Sequence, residues 1–166
     1  MSGTQRRSYE SGHRPKFMVV VDDTPECARA VHFAARRASR TGASMVMLAV
    51  VDPPDNFEWI GVGEAMIAEA QEEAEKRLEE AAKEARAAAG LDPEQVIRVG
   101  EKSASITKLI EEDEDISFLV LAAGTGKEGP GPLVSSIAGK AASTFPIPIV
   151  IVPGSLSDDE IDALAG

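Results

Sequence analysis

The sequence predicts an α/β fold, a single doubly wound domain with a five-stranded, mainly parallel sheet flanked by helices, plus a short C-terminal helix. Three observations predict it. Short apolar runs recur without polar alternation, as in strands covered on both faces. Segments with helical spacing or helix-start residues separate those runs, which calls for parallel strands joined by crossover helices. Finally, 166 residues suffice for one compact domain and little more.

The elements follow in order. Residues 1–15 are polar, mixed in charge and without periodicity, and read as a disordered N-terminal tail. The α/β domain spans 16–153, and 154–166 form a C-terminal tail with a short helix. The run 16–21 (KFMVVV) is the first strand. It ends at Asp22-Asp23-Thr24-Pro25-Glu26, where Thr24 suits an N-cap and Pro25 the first helical position. That helix runs to about Arg40, with Thr41-Gly42 as its stop.

Residues 44–51 (SMVMLAVV) are the second strand, closed by Asp52-Pro53-Pro54-Asp55, and a loop through Trp59-Ile60-Gly61 follows. From about Glu64 to Ala89, apolar residues Ile67, Ala70, Ala74, Leu78, Ala81, Ala85 and Ala88 step by three or four, making one buried stripe. Pairs Glu72/Lys76, Glu73/Arg77 and Glu79/Lys83 support its outer face. A third strand (95–99), a third helix (103–112) and a fourth strand (116–122) come next. A Gly/Pro-rich loop (123–132), a helix at 135–143 and a last strand (146–152) complete the sheet. Ser157 and Asp158 are capping candidates for the tail helix.

Composition narrows the function classes. Net charge is −11, placed unevenly: residues 1–40 carry eight Lys/Arg against four Asp/Glu, and 41–166 carry nine against twenty-four. An acidic body repels phosphate backbones, which argues against nucleic acid as a partner while leaving room for one bound nucleotide held by backbone amides. No window approaches the roughly 18–20 apolar residues of a membrane span. The single cysteine, Cys27, cannot form an internal disulfide, so a cytoplasmic location is expected. With two histidines and one cysteine, no metal site is expected.

Candidate chemistry lies where strands end. The loop 123–132 holds four glycines and two prolines in ten residues. Gly124, Gly126 and Gly129 can converge backbone amides on an anion, Lys127 can add charge, and Ser135-Ser136 can open the next helix with free N–H groups. The same residues also suit a plain turn with Ser135 or Ser136 as N-cap. Asp22 lies at the carboxyl end of the first strand and suits either a ligand hydroxyl or turn chemistry. The last strand alternates Pro146 and Pro148 with Ile147, Ile149 and Ile151, the pattern of an apolar edge strand that a second copy could cover.

Taken together, the first strand with Asp22, the ending Leu48-Ala49-Val50-Val51-Asp52 of the second, the Gly-rich loop, and the terminal Phe145-Pro146-Ile147-Pro148-Ile149-Val150-Ile151-Val152-Pro153 resemble the universal stress protein family. The resemblance implies a five-stranded parallel α/β sheet, a homodimer through the last strand and stress-linked regulation, with subclasses that bind ATP or do not. In the binding subclass the first-strand Asp matches Asp22, and a backbone contact to adenine matches Val50. The family's phosphate motif reads Gly, two residues, Gly, nine residues, then Gly followed by Ser or Thr. Here Lys127 stands where a Gly counted from Gly124 belongs, eight residues separate Gly126 from Ser135, and Ser135 replaces the last Gly ahead of Ser136.

These expectations make a homodimeric regulatory or nucleotide-sensing module that binds ATP or AMP through a degenerate loop, with Mg²⁺ only alongside the nucleotide. It is not an enzyme beyond slow ATP hydrolysis, and its regulatory partner is a protein the sequence does not identify. The alternative is a ligand-free dimeric interaction protein of the non-ATP-binding subclass.

Overall fold

The computed structural model describes residues 4–53 and 60–166. Five strands, β1 (Lys16–Val20), β2 (Ser44–Val51), β3 (Glu94–Val99), β4 (Ile116–Ala123) and β5 (Ile149–Pro153), form one sheet in the order β3-β2-β1-β4-β5. All four pairings are parallel. Order reverses beside β1, so the crevice of such a fold opens beyond the carboxyl ends of β1 and β4.

Alternation along the central strands sorts two cores. Phe17, Val19 and Val21 face the side covered by α1 (Cys27–Thr41) and α2 (Ile60–Ala89), together with Met45, Met47 and Ala49 of β2. Met18, Val20, Val46 and Leu48 face the other side, where α3 (Lys102–Glu112) contributes Ile106, Leu109 and Ile110. A short helix α4 (Pro132–Ser135) adds Val134 to that second core. Each strand residue of this kind contributes roughly 1.5–3 kcal/mol when fully buried, which is why the strands read as unbroken apolar runs.

The stripe of α2 packs as its spacing requires, with Ala74, Leu78, Ala81 and Ala85 buried. On its outer face Glu73 pairs with Arg77 at 3.7 Å, whereas Glu79 turns to Arg86 at 3.2 Å and Gln95 at 3.3 Å. Gly42 ends α1 at φ 75°, a left-handed conformation that glycine adopts without strain. The short helix α5 (Asp158–Leu164) starts from Ser157 through a capping box with Glu160, which fixes Ser157 over Asp158 as the cap.

Several boundaries move for identifiable reasons. Asp22 Oδ1 accepts hydrogen bonds from Thr24 N at 3.0 Å and Thr24 Oγ1 at 2.6 Å, so Thr24 belongs to an Asx turn, and α1 starts at Cys27 without a side-chain cap. Pro132 opens α4 three residues before Ser135, because a proline at the first helical position lacks only an N–H that would be unpaired there. The chain then widens into a π turn (Ser136–Lys140) and tightens into a 3₁₀ turn (Ala142–Thr144), in place of one regular helix over 135–143. Helix α2 extends back to Ile60; the loop residues Pro54, Asp55 and Trp59 lie outside the described residues.

Pro146 and Pro148 stand ahead of β5, not within it. Pro148 offers no ladder donor, yet its carbonyl accepts from Leu119 N at 3.0 Å and sets the register that β5 then follows. Ile147 is buried in the α3 core, Ile149 is half-buried and Ile151 is 39% exposed, so the three isoleucines do not share one open face.

The sequence reads 1–15 as a disordered tail; in the structure, residues 4–15 lie along the turn between α3 and β4. Arg7 N donates to Glu114 O at 3.0 Å and Arg6 Nη1 to Asp113 O at 3.0 Å. Ser8 is buried, and His13 Nδ1 lies 2.7 Å from Asp115 Oδ1.

Candidate functional site

Strands β1, β2 and β4 end at one level, and three cavities sharing walls open there. The first, about 260 Å³, lies over the switch point between β1 and β4, with Asp22, Asp23 and Glu26 on one side and Pro130, Gly131 and Pro132 on the other. The second, about 240 Å³, extends past Asp22 and Asp23 to Val50, Val51 and Asp52 at the end of β2. The third, about 360 Å³, lies between the start of α3 and α4, with Asp52, Glu101 and Ser136 in its wall. Lys102 lines all three.

The parallel sheet makes this arrangement. Each strand delivers the residue after its last buried position to the same rim, and the crossovers on opposite faces part between β1 and β4. Asp22 follows Val21 on β1, while Val50 stands near the end of β2, paired with Arg98 of β3. Asp22 is held by its Asx turn through Oδ1; among the described residues Oδ2 makes no hydrogen bond.

The Gly-rich loop behaves differently from an open cradle. Gly124 N donates to Pro130 O at 3.1 Å, and Gly129 N donates to Gly126 O at 3.2 Å. Ser135 N donates to Gly131 O at 3.0 Å, inside the helix that Pro132 has already opened. Gly129 and Gly131 have φ of 90° and 106°, the conformations by which the loop folds back on itself. The carboxylate of Glu26 stands against Gly124: a Cβ there would meet Glu26 Oε1 at 3.0 Å. Lys127 is exposed.

Of the residues chosen from the sequence, Asp22 and Val50 meet in the second cavity and Ser136 lines the third. Gly124, Gly126, Lys127, Gly129 and Ser135 line none of the three. Lys102 and Glu101 escape sequence reasoning. The one signal available was their place just after β3, at the start of a helix whose amino end faces the rim. Glu101 caps α3, accepting from Ser103 N at 3.1 Å and Ala104 N at 2.8 Å.

Cys27 lines the first cavity, and its thiol lies 3.8 Å from Val20 O. Burial pushes that thiol up to about 11, which makes it a poor nucleophile. Among the described residues, no cluster of His, Cys, Asp and Glu could hold a metal ion, and no helix is long and apolar enough to cross a membrane.

Comparison with known proteins agrees with this architecture. The family model described as universal stress protein family matches residues 13–153. No curated protein matches the sequence. Among solved structures, the universal stress protein UspA from Lactobacillus plantarum superposes with a TM-score of 0.71 at 17% identity, over 83% of this chain and 97% of that one. A universal stress protein in complex with cAMP gives 0.62 at 21% identity, over 93% of this chain and 100% of its own. The universal stress protein from Archaeoglobus fulgidus in complex with dAMP gives 0.54 at 18% identity, over 83% and 97%. At these identities the likeness establishes the fold.

Proposed function

Because the chain belongs to the universal stress protein family, we propose that it is a regulatory module that binds an adenine nucleotide in the crevice beyond β1, β2 and β4. One observation carries the reading: Asp22 and Val50, brought from different strands, line the same cavity, which adjoins the one over the switch point of the sheet. Asp22, with Oδ2 uncommitted among the described residues, suits a ribose hydroxyl. A base would lie against the end of β2, where Val50 lines the same cavity. Two proteins of the same fold were solved as complexes with cAMP and dAMP. No fast chemistry is assigned to the site, since among the described residues it holds no nucleophile paired with a base, and any ATP hydrolysis is expected to be slow.

A second reading, a ligand-free interaction protein, is favoured by the Gly-rich loop, whose amides at Gly124 and Gly129 are taken by the loop itself. Calorimetric titration of dialysed protein, checked by absorbance for carried-over nucleotide, separates the two. Saturation near one adenine nucleotide per chain supports the first; absence of heat at several temperatures with adenosine, AMP and ATP supports the second.

Both readings include a homodimer through β5. Its free edge and the exposed Ile151 support that contact, since an uncovered apolar edge invites a second strand. Sedimentation at micromolar concentration giving only a 17.5 kDa species would remove it. A cytoplasmic setting fits the single, buried cysteine.

A further inference from the structure

We propose that Lys102, rather than Lys127 of the Gly-rich loop, receives the ligand's phosphate, and that the site takes a nucleoside with one phosphate, linear or cyclic, in preference to a triphosphate. The proposal rests on the nucleotide reading above and specifies which ligand that crevice accepts.

Placement comes first. Lys102 is the one described residue that lines all three cavities, standing where the space beside Asp22 and Val50 meets the space beside Ser136. A ligand whose sugar reaches Asp22 would extend its phosphate toward that junction. Lys127 lines none of these cavities.

Part of the loop is already committed as folded. The Gly124, Gly129 and Ser135 N–H groups already donate within the loop and its helix, and Pro130 and Pro132 carry no N–H. Glu26 places a carboxylate against Gly124, so an incoming phosphate would meet like charge there.

Charge then limits the ligand. Asp22, Asp23, Glu26, Asp52 and Glu101 all stand in the cavity walls, against Lys102 and Arg77. Arg77 is partly engaged by Glu73 at 3.7 Å. One phosphate can be matched by Lys102. A triphosphate brings further negative charge into the same acidic wall, where among the described residues lining the cavities the one other cation is Arg77, already shared with Glu73.

The fold itself gives Lys102 little reason to be basic. It is the first residue of α3, the end of a helix where a cation is disfavoured, and among the described residues no salt bridge includes it.

The test is calorimetric titration of the full chain with adenosine, AMP, cAMP and ATP, using wild type, Lys102→Ala and Lys127→Ala. We expect AMP or cAMP to bind about tenfold or more tighter than ATP. Lys102→Ala should weaken the monophosphates by about tenfold while leaving adenosine within about twofold, as for loss of one charge-assisted contact. Lys127→Ala should change none of them. Raising salt should narrow the gap between AMP and adenosine in wild type but not in Lys102→Ala. Lys102→Gln with a matched thermal melt replaces the alanine variant if that variant is misfolded.

ATP binding as tightly as AMP, AMP binding no better than adenosine, or a loss confined to Lys127→Ala would each overturn the assignment and leave the nucleotide reading standing. No binding of any adenine compound, adenosine included, would overturn both.

Discussion

His32 and Asp162 are joined by a 2.7 Å contact between Nε2 and Oδ1 that ties the buried side of α1 to the C-terminal helix α5. The same carboxylate lies 3.1 Å from Arg36 Nε, and Asp158 meets Arg29 at 2.7 Å. A basic face of α1 thus holds an acidic helix, with Ile161 fully buried between them. Asp162→Ala leaves a buried ring nitrogen without its partner and should cost about 1–3 kcal/mol. Urea unfolding midpoints measure this, and faster amide exchange across 158–164 locates it. Asp162→Asn keeps an acceptor and should cost less.

Glycines in and around the loop should rank by what a methyl group would strike. At Gly154 a Cβ would stand 2.6 Å from the Ala123 carbonyl oxygen and 3.0 Å from Glu26 Cβ, neither free to move without the sheet end. Gly154→Ala should therefore cost about 1–3 kcal/mol. At Gly126 the one near neighbour is the Glu128 carboxylate at 3.0 Å, the tip of an exposed side chain. Gly126→Ala should stay within about 0.5 kcal/mol. Thermal denaturation of the two variants side by side decides the ranking.

Glu84 gives a pH dependence. Burial raises its carboxyl from the ordinary value, with Arg29 and His32 pulling it back and Asp158 adding to the rise. A carboxyl whose folded value is raised holds its proton more readily in the native state. Its contribution to stability is thus fully present at acid pH and lost as pH rises through the raised value. Glu84→Gln removes that loss. The variant should be more stable than wild type at pH 7, and the difference should close below about pH 4, under the ordinary glutamate value. Unfolding midpoints across this pH range measure it, and a constant difference would contradict it.

Cys27 should be chemically quiet. Its thiol is buried and pushed up to about 11. An aromatic disulfide reagent at pH 8 should label native protein slowly, and denatured protein promptly at one thiol per chain. Prompt labelling of the native state would show that the first cavity opens more widely than its walls indicate.

Much of this fold was legible because its signals are local. Continuous apolar runs at 44–51 and 116–122 read as covered strands, and β2 and β4 form there. The period of Ala74, Leu78, Ala81 and Ala85, the glycine after α1 and the capping serine of α5 all do their work within one or two turns of the residues that reveal them. The candidate site was legible only in part. Asp22 announces itself by following an apolar strand and Val50 came only through the family resemblance, while the Gly-rich loop invites an open cradle. Nothing in its composition says that Pro130 and Gly126 would accept its amides.

By itself, then, the sequence determined the alternation of strands and helices, the two-sided burial of the sheet and the end of the sheet at which a site would lie. Periodicity, caps and strand polarity act between neighbours in the chain. The tertiary structure decided the rest: that Lys102 joins three cavities, that Glu26 closes on Gly124, and that Asp162 reaches back across 130 positions to His32. Those relationships depend on how crossovers bring remote segments together and on which partners saturate each polar group, and spacing along the chain encodes neither.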